Sequence, residues 1–569
     1  MLPSHENLSG AESAERIATH FSEISQSFPP LSVESLPLRV RRKLENPGCA
    51  PDVSEFEVYQ KIKQAKKPRS GTESDLPKDI VKEFAPELAT PLTKIIKEVI
   101  TSGEWPKHWK LEHVVPIPKV PMPESENDLR PISLTPFFSK VTERFIVDWL
   151  LAIIGPKIDF RQYGGLKGNS ISHYVIEFMN FVLSCQDDND QSAVISCFID
   201  FQKAFMRQNH NILVEKLSDL DVPGWLLKIV IGFLTDRRMV VHYRGNKSSI
   251  KSLPGGGPQG TLLALLLFIV LINDDGFEHQ KNNAGEVAVS KKKMRAANEI
   301  HLKYVDDLTI AEKVTLKEVL VKNPLDPNPN TCHTLPQSRS KVYHQLDKTH
   351  QYSVKNDMKI NFGKTKMMVF NPSTSLNFTP HFLIEGKQIE VISEFKLLGL
   401  FITNDMKWKS NTMHMVQKAS KRLWILRRLK NLGAQSSSLI EVYTKQIRSI
   451  LEFGVAVWQG SITLAEKTDI ERVQKCALHI ILGTEYSSYK NALHIVNMQT
   501  LEERRTQLCL NFALKSEANP KFKNWFQHSN NTYHTRKKTK YKLIHANHSR
   551  YTSSPLGYLT RLLNSHYSS

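Results

Sequence analysis

An α+β fold is predicted, and three kinds of patterning predict it. Ahead of residue 150 apolar residues recur at helical spacing; "SAVISCFIDF" is a near-continuous apolar run and "HLKYVDDLTI" alternates with period two; beyond Lys407 basic helical patterns dominate. In chain order, the first thirty or so residues are polar and serine-rich without a strong period, and no structure is expected there. "SEFEVYQKIKQAKK" and "IVKEFAPELATPLTKIIKEVITSGE" read as helical, on either side of a loop at "PRSGTESDLP". "HVVPIPK" reads as a short strand ending at Lys119, and "LRPISLTPFFSKVTERFIVDWLLAII" as a loop carrying Arg130 followed by a helix. "SAVISCFIDF" has the signature of a strand buried on both faces, and "NHNILVEKLSDL" that of a helix. In "HLKYVDDLTI" the residues Leu302, Tyr304, Leu308 and Ile310 fall in one phase, as on a strand with one buried face, and Asp306 falls in phase with them. Residues 282–298 and "NPLDPNPNTCHTLPQ" turn to Lys, Asn and Pro and read as exposed inserts. No internal repeat is evident. The last fifty residues, with "TRKKTKYK", read as a loosely ordered basic tail.

A chain of 569 residues has room for three or four domain-sized units, and 40% hydrophobic with 23% charged residues is ordinary for a globular protein. Lysine and arginine outnumber acids 76 to 57, so a polyanion, either nucleic acid or an acidic membrane surface, is the expected partner. "TLLALLLFIVLI" (residues 261–272) is shorter than the roughly 20 residues of a membrane span and reads as a core helix. No signal peptide is visible. Six scattered cysteines without a C-x-x-C pair disfavour a disulfide framework and a zinc knuckle, and point to a reduced, intracellular setting. His528, His534, His545 and His548 lack cysteine partners at finger spacing, so no zinc site is expected among them.

Three blocks carry the chemistry. Asp200 ends the buried strand "FIDF", where side chains point into a crevice; a carboxylate in a plain turn is the alternative. "LPGGGPQG" leads into the core helix with Gln259 in its first turn, and its glycines let backbone approach a ligand; a flexible turn is the alternative. It lacks the Lys-Ser/Thr of a phosphate-binding P-loop, which disfavours an ordinary NTPase. In the third block Asp306 and Asp307 can serve one site only at the tip of a hairpin, because neighbours on a strand face opposite ways. With Asp200 on the adjoining strand, three carboxylates would crowd together and would not all ionise unaided. Paired divalent cations resolve that conflict.

In that order, a strand-end Asp, a Gly-rich Pro-Gln-Gly and a Tyr-x-Asp-Asp, the blocks resemble the reverse transcriptases of non-LTR (LINE-like) retrotransposons. The likeness covers most of the chain, through "SGTESDLPKDIVKEFAPEL", "GEWPKHWKLEHVVPIPK", "LRPISLTPFFSKVTERF", "QYGGLKGNS", "NFGKTKMMVF", "EFKLLGLFITNDMKW" and "IRSILEFGVAVWQGSI" with "IERVQKCALHIILG". The resemblance implies a right-hand polymerase. Fingers would span 56–185, a palm of antiparallel sheet backed by helices 186–405 with inserts at 280–298 and 322–337, and a thumb with a helical C-terminal region 406–515. A polar N-terminal extension (1–55) and a basic tail (516–569) would flank them. It implies RNA-directed DNA synthesis from dNTPs on a DNA primer 3′-hydroxyl along an RNA template, with two Mg²⁺ ions, or Mn²⁺ in their place, and no membrane.

Carried over by position, Asp200 and Asp306 would bind the metal pair with Asp307 beside them, and Lys364 would be a general acid toward pyrophosphate. Phe205, five residues after Asp200, would be the steric gate against a ribose 2′-hydroxyl. Gly257, Gln259, Gly260 and Tyr304 would line the nascent base pair, and Lys119 and Arg130 would reach the triphosphate. In "KWKSNTMHMVQKASKRLWILRRLKNLG" Val416, Leu423, Leu426 and Leu429 approximate an apolar stripe, with Lys418, Lys421, Arg422, Arg427, Arg428 and Lys430 toward duplex phosphates. Arg536, Lys537, Lys538 and Lys540 would hold nucleic acid weakly or serve nuclear import. Three positions depart from the family pattern: Met206 where Asp or another polar residue is usual, Ala264 where glycine is common and Val305 where alanine is common. Too few residues precede position 60 for the endonuclease that autonomous elements carry, so the chain is expected to extend a primer without nicking its target. A nucleic-acid-binding remnant without turnover is the second hypothesis.

Overall fold

A computed structural model describes residues 2–65, 76–187, 192–275, 298–315, 335, 337–371, 380–529 and 539–568. Length allowed three or four units; contacts group the chain into two, each assembled from separated segments. The first comprises residues 1–165, 201–289 and 348–361, and the second residues 166–200, 290–347 and 362–569. Along the chain the strands are β1 (Leu111–Pro118), β2 (Leu129–Leu134), β3 (Ser192–Asp200), β4 (Arg238–Tyr243), β5 (Asn246–Lys247), β6 (Lys251–Ser252), β7 (Glu299–Tyr304), β8 (Asp307–Thr315) and β9 (Lys366–Phe370).

In the first unit the sheet runs β2-β1-β4-β5, with β6 also paired to β4. Arg130 therefore lies on β2, opposite Ile117 of β1, and not in the expected loop. The N-terminal segment, expected to lack structure, forms a helix from Gly10 to Gln26 with a capping box between Ser9 and Glu12. Its Ile17, Ala18 and Phe21 join Val114, Leu129, Met239 and Val241 of the sheet in one apolar cluster. Its buried face is completed by Ser13, Ala14, Ser22 and Ser25, small residues that allow close approach but carry almost no hydrophobic signal. The apolar segment after the glycines is a buried helix, Leu262–Leu271, capped by Thr261, whose hydroxyl accepts from the Ala264 N–H at 3.2 Å. Gln259 thus lies in the turn before the helix, not in its first turn. Among the described residues no helix is long and apolar enough to cross a membrane.

The second unit holds a five-stranded sheet in the order Glu390–Val391, β9, β3, β8, β7. β3 is central and antiparallel to both β8 and β9, and β7 and β8 form a hairpin. β3 is buried along its length except at Asp200, as its apolar run predicts. The hairpin corrects the one-face reading of "HLKYVDDLTI". Tyr304 pairs with Asp307, Lys303 with Leu308 and Leu302 with Thr309, so the two-residue turn Val305-Asp306 shifts the phase by one. Directly paired residues share a face, so Asp307, not Asp306, is in register with Tyr304 and Leu302, and both faces of the hairpin are buried. The Ile171–Asp187 helix covers one face, with the Tyr174 hydroxyl 2.6 Å from Thr309 Oγ1 and its ring edge-on to Tyr304.

Past residue 538 the C-terminal segment is packed, against expectation. A helix at Pro555–Ser568 buries Leu556, Leu559 and Leu563, and Lys540 pairs with Glu517 at 2.9 Å. The predicted inserts at 280–298 and 322–337 lie almost wholly outside the described residues, as do Arg536, Lys537 and Lys538.

Candidate active site

The expected residues divide between the units: Asp200, Tyr304, Asp306, Asp307 and Lys364 belong to the second, Lys119, Arg130, Phe205, Gly257, Gln259 and Gly260 to the first.

In the second unit, β3 ends at Asp200 directly opposite Asp307 at the start of β8, and Asp306 occupies the hairpin turn beside them. Like charges on directly opposed residues destabilise a sheet. Burial, and then the charges of Asp306 and Asp200, push the Asp307 carboxyl up to about 7. Val305, the first turn residue, is held at φ 58°, where a β-branched side chain is rarely found. That strain sits at the turn that presents Asp306. The Asp200 N–H donates to the buried hydroxyl of Thr365 at 3.4 Å, a contact the sequence did not signal; exposed Lys364 is the next residue back in the turn before β9.

In the first unit, Phe205 is half-buried and stacks on Phe268 of the core helix at 5.3 Å and 23°. The glycine loop is sewn to the segment around it. Gly257 N–H donates to the Phe205 carbonyl and Gly256 N–H to the Gln208 carbonyl, both at 2.9 Å. Gly256 is at φ +81°, and a Cβ there would stand 3.1 Å from the Met206 carbonyl oxygen, so only glycine fits without a shift. His210 Nε2 lies 2.6 Å from the Gly256 carbonyl, and burial lowers its pKa to about 4, so a neutral ring donates. Gln259 is fixed through its carbonyl, which accepts from Ser133 N–H at 2.9 Å; the Ser133 hydroxyl donates to Glu112, whose other oxygen meets buried Arg237 at 2.9 Å. Met206, the departure from the family pattern, packs against the apolar cluster of this unit. Lys119 and Arg130 are exposed, and Lys119 Nζ donates to the Asn127 carbonyl at 2.6 Å.

The basic helix of the second unit spans Lys409–Asn431. Lys418, Lys421, Arg427 and Arg428 are exposed. Arg422 instead donates to the Gln446 carbonyl at 2.7 Å, and Lys430 to the Ile480 carbonyl at 2.6 Å. Leu423 and Leu426 are buried as expected, joined by Met415 and Ala419, while Val416 and Leu429 are only half-buried.

A family model described as "Reverse transcriptase (RNA-dependent DNA polymerase)" matches residues 117–402. The chain is 25% identical over 421 residues to a probable RNA-directed DNA polymerase from transposon BS of Drosophila melanogaster, covering 73% of this chain and 43% of that one. It is 24% identical over 489 residues to the RNA-directed DNA polymerase from mobile element jockey of the same organism, covering 83% and 49%. The chain thus spans about half the length of the curated relatives it matches. A solved structure of telomerase from Candida tropicalis, in complex with a fragment of telomeric RNA, is 12% identical with a TM-score of 0.37, over 78% of this chain and 67% of that one.

Proposed function

Because the chain belongs to the reverse transcriptase (RNA-dependent DNA polymerase) family, we propose that it extends a DNA primer with deoxynucleoside triphosphates along an RNA template. The observation that carries this reading is the Asp200–Asp307 cross-strand pair with Asp306 in the adjoining turn. An all-oxygen donor set whose charges repel one another suits a hard divalent cation, and Mg²⁺ or Mn²⁺ fits it. Among the described residues no group of three or more His, Cys, Asp or Glu side chains is placed so that together they could hold a metal ion. The acids would supply part of a coordination sphere, and Mg²⁺ sites that use one or two carboxylates take the rest from water and substrate phosphates. In this reading Asp200 and Asp306 hold two ions with Asp307 beside them. Bound there, the pair would stabilise the attacking and leaving oxygens of an in-line displacement at the α-phosphorus.

The chain's own residues would do the remainder. Thr365 fixes the end of β3 through the Asp200 amide, and Lys364 next to it gives a proton to the departing pyrophosphate. Gln259, held by Ser133, and Gly257, held by Phe205, line the nascent base pair. The Phe205 ring, braced on Phe268, excludes a 2′-hydroxyl. The exposed cations of the Lys409–Asn431 helix meet duplex phosphates, which makes binding salt-dependent with little base readout.

Primer extension on an RNA template with Mg²⁺ tests the reading. Wild type should synthesise DNA, and Asp306→Asn should lose at least about a hundredfold in rate. Duplex binding with no synthesis by the wild type would replace this reading with that of a binding protein without turnover. Phe205→Val should raise the relative kcat/KM for ribonucleotides by about tenfold or more. Unchanged sugar selectivity would remove the gate from Phe205.

A further inference from the structure

The Gly10–Gln26 helix of the first unit is tied at both ends to the chain that carries the glycine loop. Near its start, Glu15 accepts from the Ser249 N–H and hydroxyl at 2.8 Å each and from Lys251 Nζ at 2.5 Å. At its end, Ser25 and Gly255 exchange two buried hydrogen bonds. The Ser25 hydroxyl donates to the Gly255 carbonyl at 2.6 Å and accepts from the Gly255 N–H at 3.0 Å. From Glu15 to Ser25 the helix rises about 15 Å, and the chain from Ser249 to Gly255 reaches at most about 20 Å. Two anchors over such similar lengths leave the segment little slack, so the helix acts as a splint along it.

Packing at Gly255 is as specific as its hydrogen bonding. A Cβ there would stand 2.5 Å from the ring of Phe28, just past the helix, so any side chain would push the ring away. Ser25 is only 2% exposed, and without its hydroxyl the Gly255 N–H and carbonyl would both be buried without these partners. From Gly255 the constraint passes along the loop, because Gly256 and Gly257 are held by the Gln208 and Phe205 carbonyls and Gln259 by Ser133. Phe21 and Ser25, one turn apart on the helix, also wall a cavity of about 40 Å³ that is lined as well by Ser133, Met206, Gly257 and Gln259.

We propose that Ser25 is a positioning residue: through Gly255 it fixes where Gly257 and Gln259 stand, and so sharpens the discrimination of a matched from a mismatched nucleotide. The base-pair role of the loop rests on the polymerase reading above; the splinting of the loop by the helix does not. Amide hydrogen exchange separates the two, since it reports on the loop without turnover.

Two measurements on the full chain test the proposal. In primer extension on an RNA template, Ser25→Ala should lower the ratio of kcat/KM for matched over mismatched dNTPs by about tenfold, where a misplacement of about 1 Å can cost about a hundredfold. A smaller folded fraction would scale both rates alike and leave that ratio unmoved. Ser22→Ala is the matched control: it removes a buried hydroxyl of the same helix that donates to the Thr19 carbonyl, and should leave the ratio unchanged. In hydrogen exchange, Ser25→Ala should speed the amides of residues 253–260 by about tenfold or more, with the β1–β2 amides unaffected. Should Ser25→Ala not fold, Glu15→Ala at its half-exposed position frees the other end of the splint and should move both readouts the same way by up to about fivefold. An unchanged ratio in Ser25→Ala, or an equal loss in Ser22→Ala, overturns the positioning role and leaves the polymerase standing. Unchanged loop exchange in Ser25→Ala overturns the splint as well. No synthesis by the wild type overturns the polymerase reading and the base-pair role with it, and faster loop exchange in Ser25→Ala then still upholds the splint.

Discussion

Asp307 faces Asp200 across the β3–β8 ladder, and burial together with the charges of Asp306 and Asp200 raises its carboxyl from 3.8 to about 7. Between those two values the folded chain holds a proton that the unfolded chain has released. A folded pKa above the unfolded one means that stability falls as pH rises through this window and levels off above it. In chelator, the melting temperature should therefore drop between about pH 4 and pH 7 and level off above that, and Asp307→Asn should flatten that drop. Adding Mg²⁺ at the upper pH should restore the wild type, because the cation offsets the crowding that protonation otherwise relieves. A variant that melts along the wild-type pH curve would remove Asp307 as its source. All three acids were legible in the sequence, since each closes a distinctive block. Which of them meets Asp200 across the ladder was not. Counting in twos through the acids picks Asp306, but a two-residue turn resets the phase, and valine at φ 58° is the last residue type to announce such a turn.

At the scale of an element, the Lys409–Asn431 helix separates cations that its sequence presents as equivalent. Lys418, Lys421, Arg427 and Arg428 face solvent, while Arg422 and Lys430 satisfy carbonyls of neighbouring segments. Helical spacing distinguishes a buried stripe from an exposed face, but it does not reveal that a neighbouring carbonyl takes up a flanking arginine. The difference predicts two phenotypes. Replacing the four exposed residues with Gln should reduce the slope of log affinity against log salt by roughly 3, for four phosphate contacts at about 0.7–0.9 each, with little change in melting. Arg422→Ala should instead cost about 0.5–1.5 kcal/mol of stability, the net worth of its solvent-accessible hydrogen bond to the Gln446 carbonyl, and change the slope by less than about 1. Equal effects on binding from both variants, measured by salt-dependent titration of an RNA–DNA duplex, would mean that the helix does not present its phosphate contacts on this face.

Across the whole molecule, the long periodic segments were read correctly from sequence and the two polar ends were not. At the N-terminus the packed face is built largely of Ala and Ser; at the C-terminus a basic composition hides a short stripe, Leu556, Leu559 and Leu563, at helical spacing. Composition reports the solvent-facing side of such segments, and a three-residue stripe is too short to outweigh it. In the second unit the C-terminal helix packs against the Leu501–Ala518 and Ile171–Asp187 helices. The approach to it is pinned by Asp187, whose carboxylate accepts from the N–H groups of Asn547 and His548 at 2.9 and 2.8 Å. The backbone of Tyr541 pairs with the Asn564 side chain at 2.8 and 2.9 Å. A loose basic arm and a packed segment respond oppositely to removal. An arm lost at residue 538 would leave melting unchanged and weaken duplex binding in a salt-dependent way. The packed segment should instead cost several kcal/mol, at about 1.5–3 kcal/mol for each leucine returned to water. Leu559→Ala, which leaves every charge in place, should lower stability by about 2–5 kcal/mol with duplex affinity at low temperature unchanged. Denaturant unfolding of the two variants decides the matter: a truncated chain as stable as the full one would return this segment to the role of a tail.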